Sequence, residues 1–120
     1  MKDLTMKSQP GVASIAAGPP VSLRFNSASN PNKVRRGGNL EKLPAADALD
    51  ASGNIVSGVS GNYTLGTPLP GVTVSNNPGN LNGKLTVTNV QNNMSIDVVL
   101  RTNTTPQLTG IYHVVVEVIG

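Results

Sequence analysis

A chain of 120 residues is long enough for one domain with a modest core, and its composition narrows the class of that domain. It contains no cysteine, which excludes a disulfide framework and thiolate chemistry, and only one Phe and two Tyr, so Val, Leu and Ile must fill the core. The net charge of +3 is uneven: residues 1–42 carry seven Lys and Arg against two Asp and Glu, a net +5, and residues 43–120 carry a net −2.

No apolar run approaches the roughly eighteen residues that a membrane-spanning helix needs, so the sequence predicts no membrane partner. The basic N-terminus is followed by Ser, Gln, Pro and Gly rather than by an apolar signal segment, and we therefore expect a protein made in the cytoplasm. Thirteen Gly, nine Pro and many Asn favour turns and short strands over helices.

The first elements in chain order are an arm, a strand and a loop. Residues 1–20 have no sustained apolar period and end in Gly-Pro-Pro, which predicts an extended N-terminal arm ahead of a single β-domain, residues 21–120. Residues 21–25 alternate apolar and polar side chains and predict the first strand. Residues 26–39 are polar and basic, and predict a long loop.

The basic loop holds the candidate partner-binding residues Lys33, Arg35 and Arg36, which stand next to two glycines. Two arginines in an adaptable segment suit the carboxylates of a protein or the phosphates of a nucleic acid. A solvated loop is the first interpretation, a protein contact the second and a nucleic-acid contact the third. Nucleic acid is disfavoured because Phe25 is the one aromatic nearby on which a base could stack.

The remaining chain predicts short strands at intervals of about ten residues. Residues 40–49 predict a short helical turn, because Leu40, Leu43, Ala46 and Leu49 follow helical spacing. Strands are then expected at residues 55–59, 63–65, 72–74, 84–90, 95–101 and 110–120. Asn92-Asn93 is interpreted as the turn of a hairpin between the strands at 84–90 and 95–101.

The last strand is apolar on both faces, which is typical of a strand covered by its own core on one side and partly by something else on the other. One face carries Tyr112, Val114, Val116 and Val118, and the other carries Ile111, His113, Val115, Glu117 and Ile119. Such a strand is common in subunits that assemble with others.

Catalytic and metal-binding patterns are weak. His113 is the only histidine and lies between apolar neighbours in the last strand, so we interpret it as a surface or interface residue. The six carboxylates have no paired spacing. The sequence therefore predicts a protein that is not an enzyme and that needs no cofactor or metal.

These elements predict an all-β fold, either a small β-sandwich or a Greek-key barrel. Three segments carry a family resemblance: residues 69–74 (LPGVTV), 83–87 (GKLTV) and 109–118 (TGIYHVVVEV). Their Pro-Gly turn, Gly-led strand and Gly-x-Tyr strand resemble the later strands of bacterial and phage immunoglobulin-like domains, and this resemblance implies that the sandwich is immunoglobulin-like.

A small β-domain with a basic arm and no cysteine further resembles the capsid decoration, or cement, proteins of bacteriophages. That resemblance implies a virion protein on the capsid surface, made in the host cytoplasm, with the major capsid protein as partner and a homo-oligomer such as a trimer as its form. It implies that residues 1–20 and the basic loop clamp neighbouring capsid subunits. A pilin-like filament subunit assembled by strand exchange is the first alternative, and a carbohydrate-binding module the second.

Overall fold

The computed structural model describes residues 17–26 and 29–120, and this part of the chain consists of strands joined by turns. The strands are β1 (Ser22–Phe25), β2 (Asn32–Arg35), β3 (Leu40–Lys42), β4 (Ala46–Leu49), β5 (Gly61–Leu65), β6 (Val72–Asn76), β7 (Gly83–Val87), β8 (Met94–Thr102) and β9 (Thr109–Ile119). The predicted all-β class is confirmed. Neither of the two segments contains a helix long and apolar enough to cross a membrane.

The strands form two layers that face each other. One layer is a four-stranded sheet in the order β2-β9-β8-β5, in which β2 and β9 run parallel and the other neighbours run antiparallel. The second layer combines the β1-β4 pair with the β3-β7-β6 sheet, and β4 follows β3 after a short interruption. This strand order is that of a constant-type immunoglobulin sandwich, with β2 added beside the last strand. The predicted β-sandwich is confirmed.

The core lies between the layers and is made mainly of Val, Leu and Ile, as the composition requires. Alternate residues of β8 and β9 point into it, and Val98, Val114 and Leu100 are completely buried. The second layer contributes Leu85 and Val87 from β7. Burying such side chains contributes about 1.5–3 kcal/mol each.

Hydrogen bonds of Tyr63 in β5 with Asn76 and Leu81 join the edges of the two layers, and we call this contact the ring lock. Its N–H donates to Oδ1 of Asn76 at 2.5 Å, and Nδ2 of Asn76 donates back to the Tyr63 carbonyl at 3.2 Å. The Tyr63 hydroxyl donates to the Leu81 carbonyl at 2.7 Å, and burial raises the pKa of this phenol. Asn76 thus substitutes for a neighbouring strand and covers this edge of the four-stranded sheet.

The described chain enters the sandwich at one end and leaves it at the other. At the entry end, the Gly18 N–H donates to Oδ2 of Asp50 at 3.0 Å, just before β1. At the exit end, the Arg36 N–H donates to the Ile119 carbonyl at 3.2 Å, just after β2 and at the end of β9. β1 and β2 therefore run in the same direction, from the entry end to the exit end, and β9 runs with them.

The loop predicted over residues 26–39 is wrong for part of its length, because β2 occupies Asn32–Arg35 and pairs with the end of β9. Only Val34 of this strand is apolar, and it is buried. A single apolar residue between Lys33 and Arg35 gives no visible alternation, so the composition of the segment concealed its pairing. Residues 27 and 28 lie outside the described residues.

The helical turn predicted over residues 40–49 is also wrong, since β3 and β4 occupy this segment. The helical spacing was coincidental: Leu43, one of its four positions, is 61% exposed. Pro44 lies between the two strands, and its carbonyl accepts a hydrogen bond from the Gly83 N–H at 2.9 Å. Cross-strand pairing, of β3 with β7 and of β4 with β1, decides the conformation here, as it commonly does over local propensity.

Two other expectations need correction. The strand predicted at residues 55–59 is reduced to a single bridge between Ile55 and Leu49. The hairpin predicted around Asn92-Asn93 does not form, because β7 and β8 belong to different layers and the chain crosses between them. Asn93 instead accepts the Val118 N–H at 2.8 Å through its side chain. The strands expected at 63–65, 72–74, 95–101 and 110–120 are confirmed within a residue or two.

Most of the predicted N-terminal arm, residues 1–16, lies outside the described residues. Residues 17–20 belong to no strand and are largely exposed.

Candidate functional site

The structure places the three candidate residues at the β2 edge of the four-stranded sheet. Lys33 pairs in register with Glu117, and Arg35 with Ile119, so both basic side chains belong to the outer side of this sheet. Arg36 follows in a turn, and its guanidinium donates to the Gln91 carbonyl at 2.6 Å. Lys33 and Arg35 thus share a surface, whereas Arg36 is held against the neighbouring loop.

We call the outer side of the four-stranded sheet the β9 face. Strand registers and alternating burial define its members. They are Lys33 and Arg35 of β2, Asn62 and Thr64 of β5, Ser95, Asp97, Val99 and Arg101 of β8, and Thr109, Ile111, His113, Val115, Glu117 and Ile119 of β9.

Apolar side chains run along the β9 face. Ile111 is 56% exposed and Ile119 is 40% exposed, and Val115 lies half-buried between them. Apolar side chains exposed singly are normal on protein surfaces, and the β9 face is distinguished by carrying three of them along one strand. The sequence had indicated this property through the two-sided apolar pattern of the last strand.

Lys33, Arg35 and Arg101 of the β9 face form no ion pair within the described residues. The ion pairs in the described part of the chain are Arg24–Asp47 at 3.0 Å, Lys84–Glu41 at 2.8 Å and His113–Asp97 at 2.6 Å. The guanidinium of Arg101 donates to the Thr64 hydroxyl at 3.2 Å, and Lys33 stands opposite Glu117 in the strand register. The face thus carries three Lys and Arg side chains against the carboxylates of Asp97 and Glu117, and this small positive excess favours an acidic partner.

The opposite outer surface, on the β3-β7-β6 sheet, has a different character. Register and exposure assign to it Glu41, Thr73, Ser75, Lys84 and Thr86. These are polar side chains, and the hydrogen bond to Glu41 raises the pKa of Lys84. Leu43 is exposed just beyond β3, where it borders a cleft of about 380 Å³ with Pro44 and Asn77. This surface thus differs from the β9 face in two ways: its strand residues are polar, and its lysine is paired with a carboxylate.

A groove of about 460 Å³ lies in the β9 face near the C-terminal end of β5. Ile111 and Val99 provide its apolar lining, and the loop after β5 closes it with Thr67 and Leu69. Its volume lies within the range of about 300–1,000 Å³ that ligand-binding clefts usually have. No pattern in the sequence indicates this groove, because the loop and the strands that line it are distant along the chain.

His113 and Asp97 form an exposed pair on the same face, with Nδ1 and Oδ1 2.6 Å apart. Their cross-strand register places them directly opposite each other. Within residues 17–26 and 29–120 no group of three His, Asp or Glu side chains is arranged to hold a metal ion. The pair links β8 to β9 and supports the surface interpretation of His113 made from the sequence.

The three aromatic rings of the chain pack together inside the sandwich. The centroid of the Phe25 ring lies 5.8 Å from that of Tyr112 and 6.5 Å from that of Tyr63. Both tyrosines are almost completely buried. No ring is therefore left to form a flat platform for a sugar or a nucleic-acid base.

At the entry end, Asp50 holds the root of the predicted arm. Its carboxylate accepts backbone N–H groups from Gly18 at 3.0 Å, Ser52 at 2.9 Å and Asn54 at 2.8 Å. The Gly18 bond, and after it the Asn54 bond, lowers the pKa of Asp50, because hydrogen bonds from N–H groups stabilise the ionised form. The last residues before β1 are thus fixed to the loop after β4.

No protein-family model matches the chain, and no curated protein matches it either. Among solved structures, the chain is similar to a nucleoside hydrolase-related hypothetical protein from Saccharophagus degradans that is associated with carbohydrate metabolism. The identity is 16% and the TM-score 0.47, over 83% of this chain and 26% of the other. The chain thus spans about a quarter of that protein's length, and a likeness at this level says nothing about what this chain binds.

Proposed function

We propose that this protein is a structural subunit without enzymatic activity, a capsid decoration protein that binds the outer lattice of a bacteriophage shell and stabilises it. The carrying observation is the β9 face, where exposed Ile111 and Ile119 are combined with Lys33 and Arg35, two cations that form no ion pair within the described residues. The opposite surface is polar, and its lysine is paired. A one-sided surface of this kind suits a subunit that is attached to a larger body. The specific assignment to capsids draws on the family resemblance in the sequence.

The stabilising effect follows from mass action. A subunit that binds only the assembled shell shifts the equilibrium toward the assembled form, and many weak contacts in a lattice add up to a strong effect. In this proposal the β9 face makes the first contact with the major capsid protein. Residues 1–20, whose last members are fixed at Asp50, reach a neighbouring subunit.

The two other classes expected from the sequence receive less support from the geometry. A carbohydrate-binding module usually offers aromatic platforms, whereas the rings here are packed in the interior. Strand exchange of the pilin type requires a core groove that a second chain fills. Val114 and Val116 of β9 are already covered by strands of their own chain.

Co-sedimentation of the purified protein with empty phage shells tests this proposal. We expect saturable binding at a fixed ratio to the capsid subunit. A double variant, Lys33→Gln with Arg35→Gln, should bind more weakly. Its matched control is Arg24→Gln with Lys84→Gln, which removes the same number of positive charges away from the β9 face and should bind normally.

Light scattering on the protein alone completes the experiment. Growth into filaments without any shell would contradict the proposal and favour the pilin-like class. Equal loss of binding in both double variants would show that net charge, and not the β9 face, attracts the shell.

A further inference from the structure

We infer that the β9 face recognises a protein surface on which carboxylates surround an apolar side chain, and that the groove beside Ile111 receives this side chain. The inference rests on the proposed use of the β9 face for docking and adds the chemistry of the partner. The proposed partner is a protein, although the sequence alone also allowed a nucleic acid.

The groove provides the apolar contact. Its apolar lining residues are Ile111, Val99 and Leu69. Ser95 and Asp97 also line it, and the Asp97 carboxylate is paired with His113 at 2.6 Å. A side chain that enters the groove from the partner would cover Ile111, which is otherwise 56% exposed. Anchors of this type usually carry most of the binding energy of an interface.

The cations stand at the two ends of the face, Arg101 close to the groove and Arg35 roughly 27 Å from Ile111 along the strand. Arg35 is in register with Ile119 at the exit end of β9, and Arg101 is in register with Thr109 at the entry end. At about 3.4 Å per residue the two cations are separated by roughly 34 Å along the strand. Carboxylates on the partner must therefore stand at both ends of the face, with apolar contact between them.

The same face is poorly suited to a nucleic acid. Asp97 and Glu117 lie among its cations, so a chain of phosphates laid along the strands would meet two carboxylates. The aromatic rings that stack bases in single-strand binding proteins are buried here. Both properties are compatible with a protein partner, which can present cations and hydroxyl groups opposite Asp97 and Glu117.

The size of the face suits a small protein interface. Its four strands contain 4, 11, 9 and 5 residues, 29 in all, and no more than three strands lie side by side, because β2 and β5 pair at opposite ends of the sheet. At about 3.4 Å per residue and about 4.8 Å between strands the face covers roughly 470 Å², somewhat over half of the about 800 Å² that each partner buries in a typical stable complex, which is the scale of a weak contact. A second copy of this chain is a less suitable occupant, because two identical faces would bring the same positive excess together.

A nuclear magnetic resonance titration of the full-length protein tests the partner chemistry directly. The first probe is a short synthetic peptide of glutamates with a central pair of leucines, and the second is an oligothymidylate of the same net charge. We expect the peptide to shift backbone amide signals in β8, β9 and residues 66–69. The oligothymidylate should bind at least about tenfold more weakly at the same ionic strength.

Two variants with equally exposed isoleucines provide the control. Ile111→Ser should weaken peptide binding by about tenfold, the effect of losing an interface anchor. Ile55→Ser removes an isoleucine that is also 56% exposed but lies in the loop after β4, and it should leave binding unchanged. Comparable effects of the two substitutions would overturn the inference, as would tighter binding of the oligothymidylate or the absence of peptide binding.

The titration and the shell experiment can contradict the partner chemistry and the proposed function independently of each other. If shells bind saturably but the peptide does not bind, the proposed function stands and the partner chemistry is wrong. If the peptide binds at the β9 face but no shell is bound, the capsid assignment fails and the face still recognises an acidic protein. Self-association of the free protein through this face, detected by light scattering, would make a second copy the occupant and refute the inference.

Discussion

Replacing Gly83 by alanine should test whether the ring lock joins the two layers as described. A Cβ at this position would lie 2.6 Å from Cδ2 of Tyr63 and 3.0 Å from Cε2. The ring cannot easily move aside, because its hydroxyl is bonded to the Leu81 carbonyl and its backbone is bonded to Asn76. The start of β7 must therefore move away from β5.

Overpacking of this kind usually costs about 1–3 kcal/mol. For a domain of 120 residues, about 4 °C in melting temperature corresponds to 1 kcal/mol, so we expect Gly83→Ala to lower the melting temperature by roughly 4–12 °C. Thermal unfolding followed by circular dichroism measures the shift. Gly66→Ala is the matched control, since its nearest contacts of 3.4–3.6 Å are ordinary, and it should change the melting temperature by about 2 °C or less.

A double variant makes the test specific for the ring. Combining Gly83→Ala with Tyr63→Leu removes the ring that the new methyl group would meet, so the combined loss of stability should be smaller than the sum of the single losses. Strict additivity, or a Gly83→Ala protein as stable as the wild type, would refute the proposed contact between β7 and the Tyr63 ring.

Three further predictions concern the core and the arm. Val116→Asp should prevent folding by burying an unpaired charge, and a cooperative melt at the wild-type temperature would show that Val116 is not in the core. Deleting residues 1–16 should leave a domain that unfolds at the same temperature but no longer binds shells; unfolding after deletion would give the arm a place in the core. The lowered pKa of Asp50 means that its ionised form contributes stability at neutral pH, and this contribution is lost as the pH falls below the ordinary value of 3.8. Asp50→Asn should therefore be less stable at pH 7 and should lose less stability than the wild type on acidification, which urea titrations at several pH values can determine.

The sequence predicted the strands that alternate clearly and missed those that do not. β9 and β8 carry several Val, Ile or Leu residues at period two, so their core faces were correctly predicted. β2 has only Val34 to mark its inner side, and its pairing with β9 brings together residues more than eighty positions apart. No local pattern records such a contact.

The candidate site could be predicted only in part, again because contacts between distant segments leave no local pattern in the sequence. Lys33 and Arg35 were named from the sequence as candidate partner-binding residues, but their position beside Ile119 depends on the parallel pairing of β2 with β9. Arg36 was placed in the same group although the turn after β2 directs its guanidinium to Gln91. The groove at Ile111 could not be predicted, since it needs the loop after β5 to be folded against β8.

The opposite positions of chain entry and exit determine how the domain would respond to tension. A force that pulls Gly18 and Gly120 apart acts along the strands, because β1, β2 and β9 all run from the entry end to the exit end. The parallel contact between β2 and β9, four residues long, would then be loaded in shear. Its hydrogen bonds would have to break together instead of opening one after another, which makes this short contact the mechanical clamp of the fold. Single-molecule pulling on Gly18 and Gly120 would measure the strength of that clamp.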